Sequence, residues 1–174
     1  MYNFFNKKGT HEDKLYNKIL SLSRNKFFFT EMALKDTFQN RINLIFLHIS
    51  FIIIKIKDKS KSSLYKDFYQ KLFDHVFKRI ETNMREIGFG DVTVNKNMKF
   101  LTKSFYNILL NCENYKSKSK DDKIIFLRNY LKSNNPENKP INSNLIKYFD
   151  KYHSFCLDLS SDNVLKGDLE FKIN

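Results

Sequence analysis

The sequence predicts an all-α, single-domain helical bundle of five to six helices, and three observations carry that prediction. Apolar residues recur at steps of three and four along most of the chain, the period of helices rather than strands. Only four glycines and two prolines occur in 174 residues, so the long periodic segments run with few breakers. These few breakers fall between the periodic segments, with Gly88 and Gly90 at one corner and Pro136 and Pro140 in another. The length suits one domain with its own core.

Residues 1–11 read as a flexible N-terminus ahead of a helical domain over 12–172. A first amphipathic helix over 12–24 places Leu15, Ile19 and Leu22 on one face and is opened by Thr10 or Asp13. Residues 25–37 form a connector docked by Phe27, Phe28 and Phe29, ending in a cap at Asp36 or Thr37. A long helix follows over 38–58, its stripe running through Ile42, Ile45, Phe46, Ile49, Ile52, Ile53 and Ile56. Its most apolar part, 42–54, is short of the about 20 residues a membrane span needs. It also contains Asn43, His48 and Ser50, so it reads as a buried central helix. After a Ser/Lys loop at 58–62, a helix over 63–87 carries Leu64, Phe68, Leu72, Val76, Ile80, Met84 and Ile87, widened by Tyr65, Tyr69, Phe73 and Phe77.

The corner after it is the most distinctive local feature. Gly adopts positive φ without strain and is the usual residue just past a helix end, so Gly88 stops the helix. Gly90 and Asp91 turn the chain, and Asp91 or Thr93 caps the next helix, over 95–115, with Met98, Leu101, Phe105, Ile108, Leu109 and Cys112 inward. A solvated loop at 116–121 leads to a helix from 121 or 122 to 132, and both prolines place a loop at 134–140. The last helix spans 143–159, and a tail over 164–171 makes one more turn, with Phe171 docking back on the bundle.

Thirty-one Lys and Arg against 19 Asp and Glu give a net charge of +12. Such a field attracts RNA, ribosomal surfaces and anionic lipid. The excess is mostly Lys spread from Lys7 to Lys172, and the aromatics sit at core spacing, so it is a general polyanion bias and no signature of specific DNA reading. Lys, Asn, Ile and Phe all have AT-rich codons, which accounts for part of the excess. Cys112 and Cys156 stand apart, with no metal-ligand spacing, and read as buried thiols. The N-terminus has no secretory signal pattern.

No phosphate loop, dinucleotide fingerprint, nucleophile elbow or zinc-protease motif is present. His48 on an apolar helix reads as a hydrogen-bonded core histidine. Asp74 and His75 are adjacent and do not share a face. Asp36–Arg41 and Arg85–Asp91 have the spacing of ion pairs that brace, respectively, the connector and the Gly corner. Neither an enzyme nor a cofactor is indicated.

The segment Met84-Arg85-Glu86-Ile87-Gly88-Phe89-Gly90-Asp91-Val92-Thr93-Val94 resembles the phrase LREMGVGD-x-x-V of the ubiquinol–cytochrome c chaperone family, which includes mitochondrial cytochrome b assembly factors and alphaproteobacterial relatives. Ser104-Phe105-Tyr106 is similar to its AFYGR, and Asp36-Thr37 followed by Arg41 to its DT-x-x-x-R entry; Arg128-Asn129-Tyr130 and 165–171 are fainter echoes. Asn107-Ile108 replace the family's Gly-Arg, and Lys35 its usual Pro. The resemblance covers roughly 12–172. It implies a non-catalytic chaperone that holds newly made cytochrome b for reductase (respiratory complex III) assembly, with the ribosome exit region and a small assembly factor as further partners. With the charge, it implies a bacterial cytoplasmic protein peripheral to the anionic inner membrane. The residues it singles out are Arg41, Arg85, Gly88, Gly90, Asp91 and Tyr106: the glycines set the corner, Arg85 and Asp91 lock it, and Arg41 and Tyr106 border a client groove. The rival reading is a basic RNA- or ribosome-binding helical module without a hydrophobic client.

Overall fold

The computed structural model describes residues 9–57, 63–134 and 143–173. Most of the expected N-terminal segment, the loop at 58–62 and most of the loop at 134–140 lie outside the described residues. Within them the chain forms α1 (His11–Ser23), α2 (Phe27–Thr30), α3 (Phe38–Lys57), α4 (Ser63–Glu86), α5 (Asp91–Glu113), a 3-10 turn (Tyr115–Ser117), α6 (Lys120–Tyr130), α7 (Ser143–Asp158) and α8 (Ser161–Leu165). Six of the helices are long, matching the expected bundle, and α2 and α8 are single turns. The described residues contain no strand, only an isolated antiparallel bridge between Leu34 and Ser133.

Local chemistry sets the starts. Thr10 and Asp13 form a reciprocal capping box on α1, the Asp13 amide donating to Thr10 Oγ1 at 3.2 Å and the Thr10 amide to Asp13 Oδ2 at 2.9 Å. Thr37 caps α3 through the Asn40 amide at 3.2 Å, and Ser119 and Ser160 cap α6 and α8 in the same way.

The bundle is built around α3, which packs against α1, α4, α5, α7 and α8. The sequence shows one apolar stripe, but 14 of its 20 residues are buried, including Leu44 and Leu47 off that stripe. A helix that is apolar all round must be enclosed, and each fully buried Leu, Ile or Phe contributes about 1.5–3 kcal/mol. By length and hydropathy α3 also passes as a membrane span, but most of it is wrapped inside the bundle. Lys57 pairs with Glu113, so the C-terminal ends of α3 and α5 lie side by side and α4 runs antiparallel to both.

Three polar residues of α3 are buried with partners. Asn40 donates to the carbonyls of Lys35 and Lys132, both at 2.7 Å, and accepts from the Lys132 amide at 2.9 Å. Asn43 donates to the Tyr130 carbonyl at 2.7 Å. These bonds tie the connector before α3 to the end of α6, where Lys35 and Asn134 also pair with Lys132 and Ala33 through their backbones. His48 Nδ1 donates to the Leu44 carbonyl at 2.6 Å, leaving Nε2 to accept from the Tyr148 hydroxyl at 2.6 Å. This is the core histidine the sequence suggests. Burial pushes its pKa down to about 4, against a smaller upward effect of the Leu44 bond. With both ring nitrogens engaged, His48 could ligate a haem only if the core opened.

Candidate functional site

The α4–α5 corner is built as two different helix ends. Gly88 takes φ +94° just past α4. Its amide donates to the Arg85 carbonyl at 3.0 Å and the Phe89 amide to the Met84 carbonyl at 3.0 Å, the paired bonds of a Schellman ending. Gly90 differs from the expectation: its φ is −69°, open to any residue, and it serves as the N-cap of α5 with no side-chain bond. Asp91, expected as a cap along with Thr93, is instead the first residue of α5, where its charge favours the positive helix terminus. The helix therefore begins four residues before the expected start. A cap that offers only backbone leaves no side-chain signal.

Arg85 bridges Asp91 across the corner and Glu81 one turn back, the latter at 2.9 Å. The brace is exposed, so it fixes geometry more than it stabilises. Arg41 grips Asp36 with two parallel bonds at 2.6 and 2.8 Å, and its guanidinium lies 5.0 Å from the centre of the Phe29 ring. The hydrogen bonds from Arg41 hold the Asp36 carboxyl below its ordinary range. Tyr106 is half-exposed on α5, with its ring 5.9 Å from that of Phe73.

These six residues do not form one site. Arg41 and the Gly corner share an end of the bundle, whereas Tyr106 lies fifteen residues along α5, about 22 Å from Asp91 along the helix axis. At that far end is an apolar slot of about 130 Å³ between the close of α3 and the start of α4, lined by Ile53, Ile56, Tyr65 and Tyr69 and the stems of Lys57 and Lys66. Exposed Leu64 stands beside Tyr65, and Tyr106 connects to the slot through the Phe73 ring, which lies 5.9 Å from its own and 6.3 Å from that of Tyr69. Arg41 is twelve residues before Ile53 on α3, about 18 Å away along the axis, and does not line the slot. Ile108, at the position where the resemblance places an arginine, is fully buried. Among the described residues no three His, Cys, Asp or Glu side chains converge to hold a metal.

Two features escaped the sequence. Gly167 takes φ +69° and ends α8 as Gly88 ends α4, with the Gly167 amide on the Val164 carbonyl and the Asp168 amide on that of Asn163. It also lies against the backbone of α1. His75 bonds Asp13 across α1 and α4 at 3.1 Å, a partner no local spacing reveals.

Comparison with known proteins agrees with the geometry. The fold matches the crystal structure of the Cbp3 homolog from Brucella abortus with a TM-score of 0.79, at 22% identity, over 94% of this chain and 89% of that one. Comparison with curated proteins returns no match. The family profile described as ubiquinol-cytochrome C chaperone matches residues 30–171, from the connector through the Gly corner to Phe171, and the chain belongs to that family.

Proposed function

We propose that this chain is a non-catalytic assembly chaperone that binds newly made cytochrome b and delivers it to ubiquinol–cytochrome c reductase, at the cytoplasmic face of a bacterial inner membrane. The observation that carries the reading is the slot at the far end of the bundle. Its walls are Ile53, Ile56 and two tyrosine rings, and its rim is lysine. A dry cavity of similar size takes a benzene-sized group, so the slot suits one apolar anchor of an incoming transmembrane segment. The +12 surface suits a station beside the ribosome exit, where such a client emerges, and a small assembly factor would complete the holding complex. A basic RNA- or ribosome-binding module accounts for the charge but gives the slot no occupant.

The test is capture of cytochrome b synthesised in vitro with detergent present. Exchange of both slot tyrosines, Tyr65→Ser with Tyr69→Ser, should lower capture at least tenfold with thermal unfolding still cooperative. Unchanged capture by that variant removes the slot from the mechanism. In cells, deletion of the gene should lower cytochrome b haem and assembled reductase, and normal levels would refute the client.

A further inference from the structure

We propose that the solvent-facing side of α5 is a docking face for an anionic lipid surface. The proposal deepens the chaperone reading and rests on it for the setting beside a bilayer. Between Asp91 and Glu113 the helix carries no acidic residue and three lysines, Lys96, Lys99 and Lys103. All three are exposed, and none has an ion-pair partner among the described residues. By contrast, α4 sets Asp67, Asp74 and Glu81 among its basic residues Lys66, Lys71, Lys78 and Arg79.

Large apolar side chains share the lysine face. Val92 is 84% exposed, Phe100 59% and Leu110 60%. At 100° per residue these three and the lysines fall within an arc of roughly 100°. The helix is about 34 Å long, enough for a continuous line of contact. Lysines among aromatic and aliphatic residues on one helix face are the pattern of an interfacial helix, with the apolar groups entering the headgroup boundary and the ammonium groups meeting lipid phosphate. RNA fits less well. The helix has no arginine, and Val92 and Leu110 cannot stack on bases as aromatic rings do. A second copy of the same face would bring lysine against lysine.

Binding of the full chain to vesicles is the test. Vesicles containing phosphatidylglycerol should bind it and pure phosphatidylcholine should not, with affinity falling as salt rises. Each surface lysine is worth about fivefold, so Lys96→Gln, Lys99→Gln and Lys103→Gln together should weaken binding about a hundredfold. Removing the same charge from α4, through Lys71→Gln, Lys78→Gln and Arg79→Gln, should cost no more than a few-fold. The chain has no tryptophan, so Phe100→Trp supplies a single probe whose emission should shift to the blue on anionic vesicles. Equal losses from the two triple variants, an unshifted probe, or binding to single-stranded RNA without vesicle binding would each overturn the proposal. Failed vesicle binding with client capture intact would sink this inference alone; failed capture with vesicle binding intact would sink only the chaperone reading.

Discussion

Replacing Gly167 with alanine separates two demands that glycine meets. Gly88 and Gly167 end their helices with the same paired hydrogen bonds and both take positive φ. They differ in what a Cβ would meet. At Gly88 there is nothing within 4 Å; at Gly167 a Cβ would stand 2.6 Å from the His11 carbonyl oxygen, 3.0 Å from the Leu15 amide nitrogen and 3.1 Å from Lys14 Cβ. Two of these are backbone atoms of α1, so no rotamer change relieves them. Gly88→Ala therefore carries only the conformational cost, about 1–2 kcal/mol less a few tenths regained from the stiffer unfolded chain. Gly167→Ala carries the same cost plus a displacement of α8 or α1, which by analogy with overpacked cores adds about 1–3 kcal/mol, for a sum of roughly 2–5 kcal/mol. At about 2–4 °C per kcal/mol for a chain of this size, Tm should fall about 2–7 °C for Gly88→Ala and about 4–18 °C for Gly167→Ala. Urea titrations with unchanged m would assign both losses to the folded state. Equal losses at the two positions would refute the argument, because the approach to α1 would then contribute nothing.

Further predictions concern the buried polar groups and the second corner glycine. Gly90→Ser should stabilise by a few tenths of a kcal/mol, since φ −69° suits any residue and the hydroxyl would supply the missing cap; a lower Tm would mean the corner needs glycine there. The His48 pKa lies below its unfolded value of 6.5, so its neutral form stabilises the fold fully above that pH and the contribution fades as pH falls toward 4. At 1.36 kcal/mol per unit the loss is about 3 kcal/mol, and the double variant His48→Leu with Tyr148→Phe should show a correspondingly flatter stability profile between pH 7 and 4. Asn40→Leu leaves the Lys132 amide without its acceptor and takes one of two bonds from each of the Lys35 and Lys132 carbonyls, and should cost about 1–3 kcal/mol in urea unfolding. Burial raises both cysteine thiols, that of Cys156 to about 12, so neither should react with a thiol reagent until the protein unfolds.

Much of the fold was legible because helices advertise themselves through a period of 3.6, and the ends of α4 and α7 lie within a residue of the expected positions. The ion pairs Asp36–Arg41 and Arg85–Asp91 were legible for the same reason, being local in sequence. The start of α5 was not, because its N-cap is a glycine with no side chain to read. Asn40 escaped notice because its partner Lys132 is 92 residues away, and an asparagine on an apolar helix carries no mark of what it will meet. Gly167 looks like Gly88 in the sequence; only the passage of α1 makes it the more demanding of the two. The slot is assembled from the last turns of one helix and the first turns of another, and the expected groove partners Arg41 and Tyr106 lie at different heights along the bundle.

The distribution of apolar surface is the reason to read α5 as more than packing. A large apolar side chain left in water forgoes about 1.5–3 kcal/mol that burial would supply, and a domain holds only about 5–15 kcal/mol of net stability. Val92, Phe100 and Leu110 on one helix, with Ile87 and Phe89 at its approach, are thus a substantial renunciation. The fold sustains it because most of α3 is enclosed and its buried polar atoms in Asn40, Asn43 and His48 are bonded. Solubility must be maintained as well, since adjacent exposed apolar groups invite self-association. Lysines set among them, with no acid on the same helix face, oppose the meeting of two copies while leaving the face open to a negatively charged surface. The same positions that prevent self-association therefore select the partner, so their charge and their apolar neighbours act as one device.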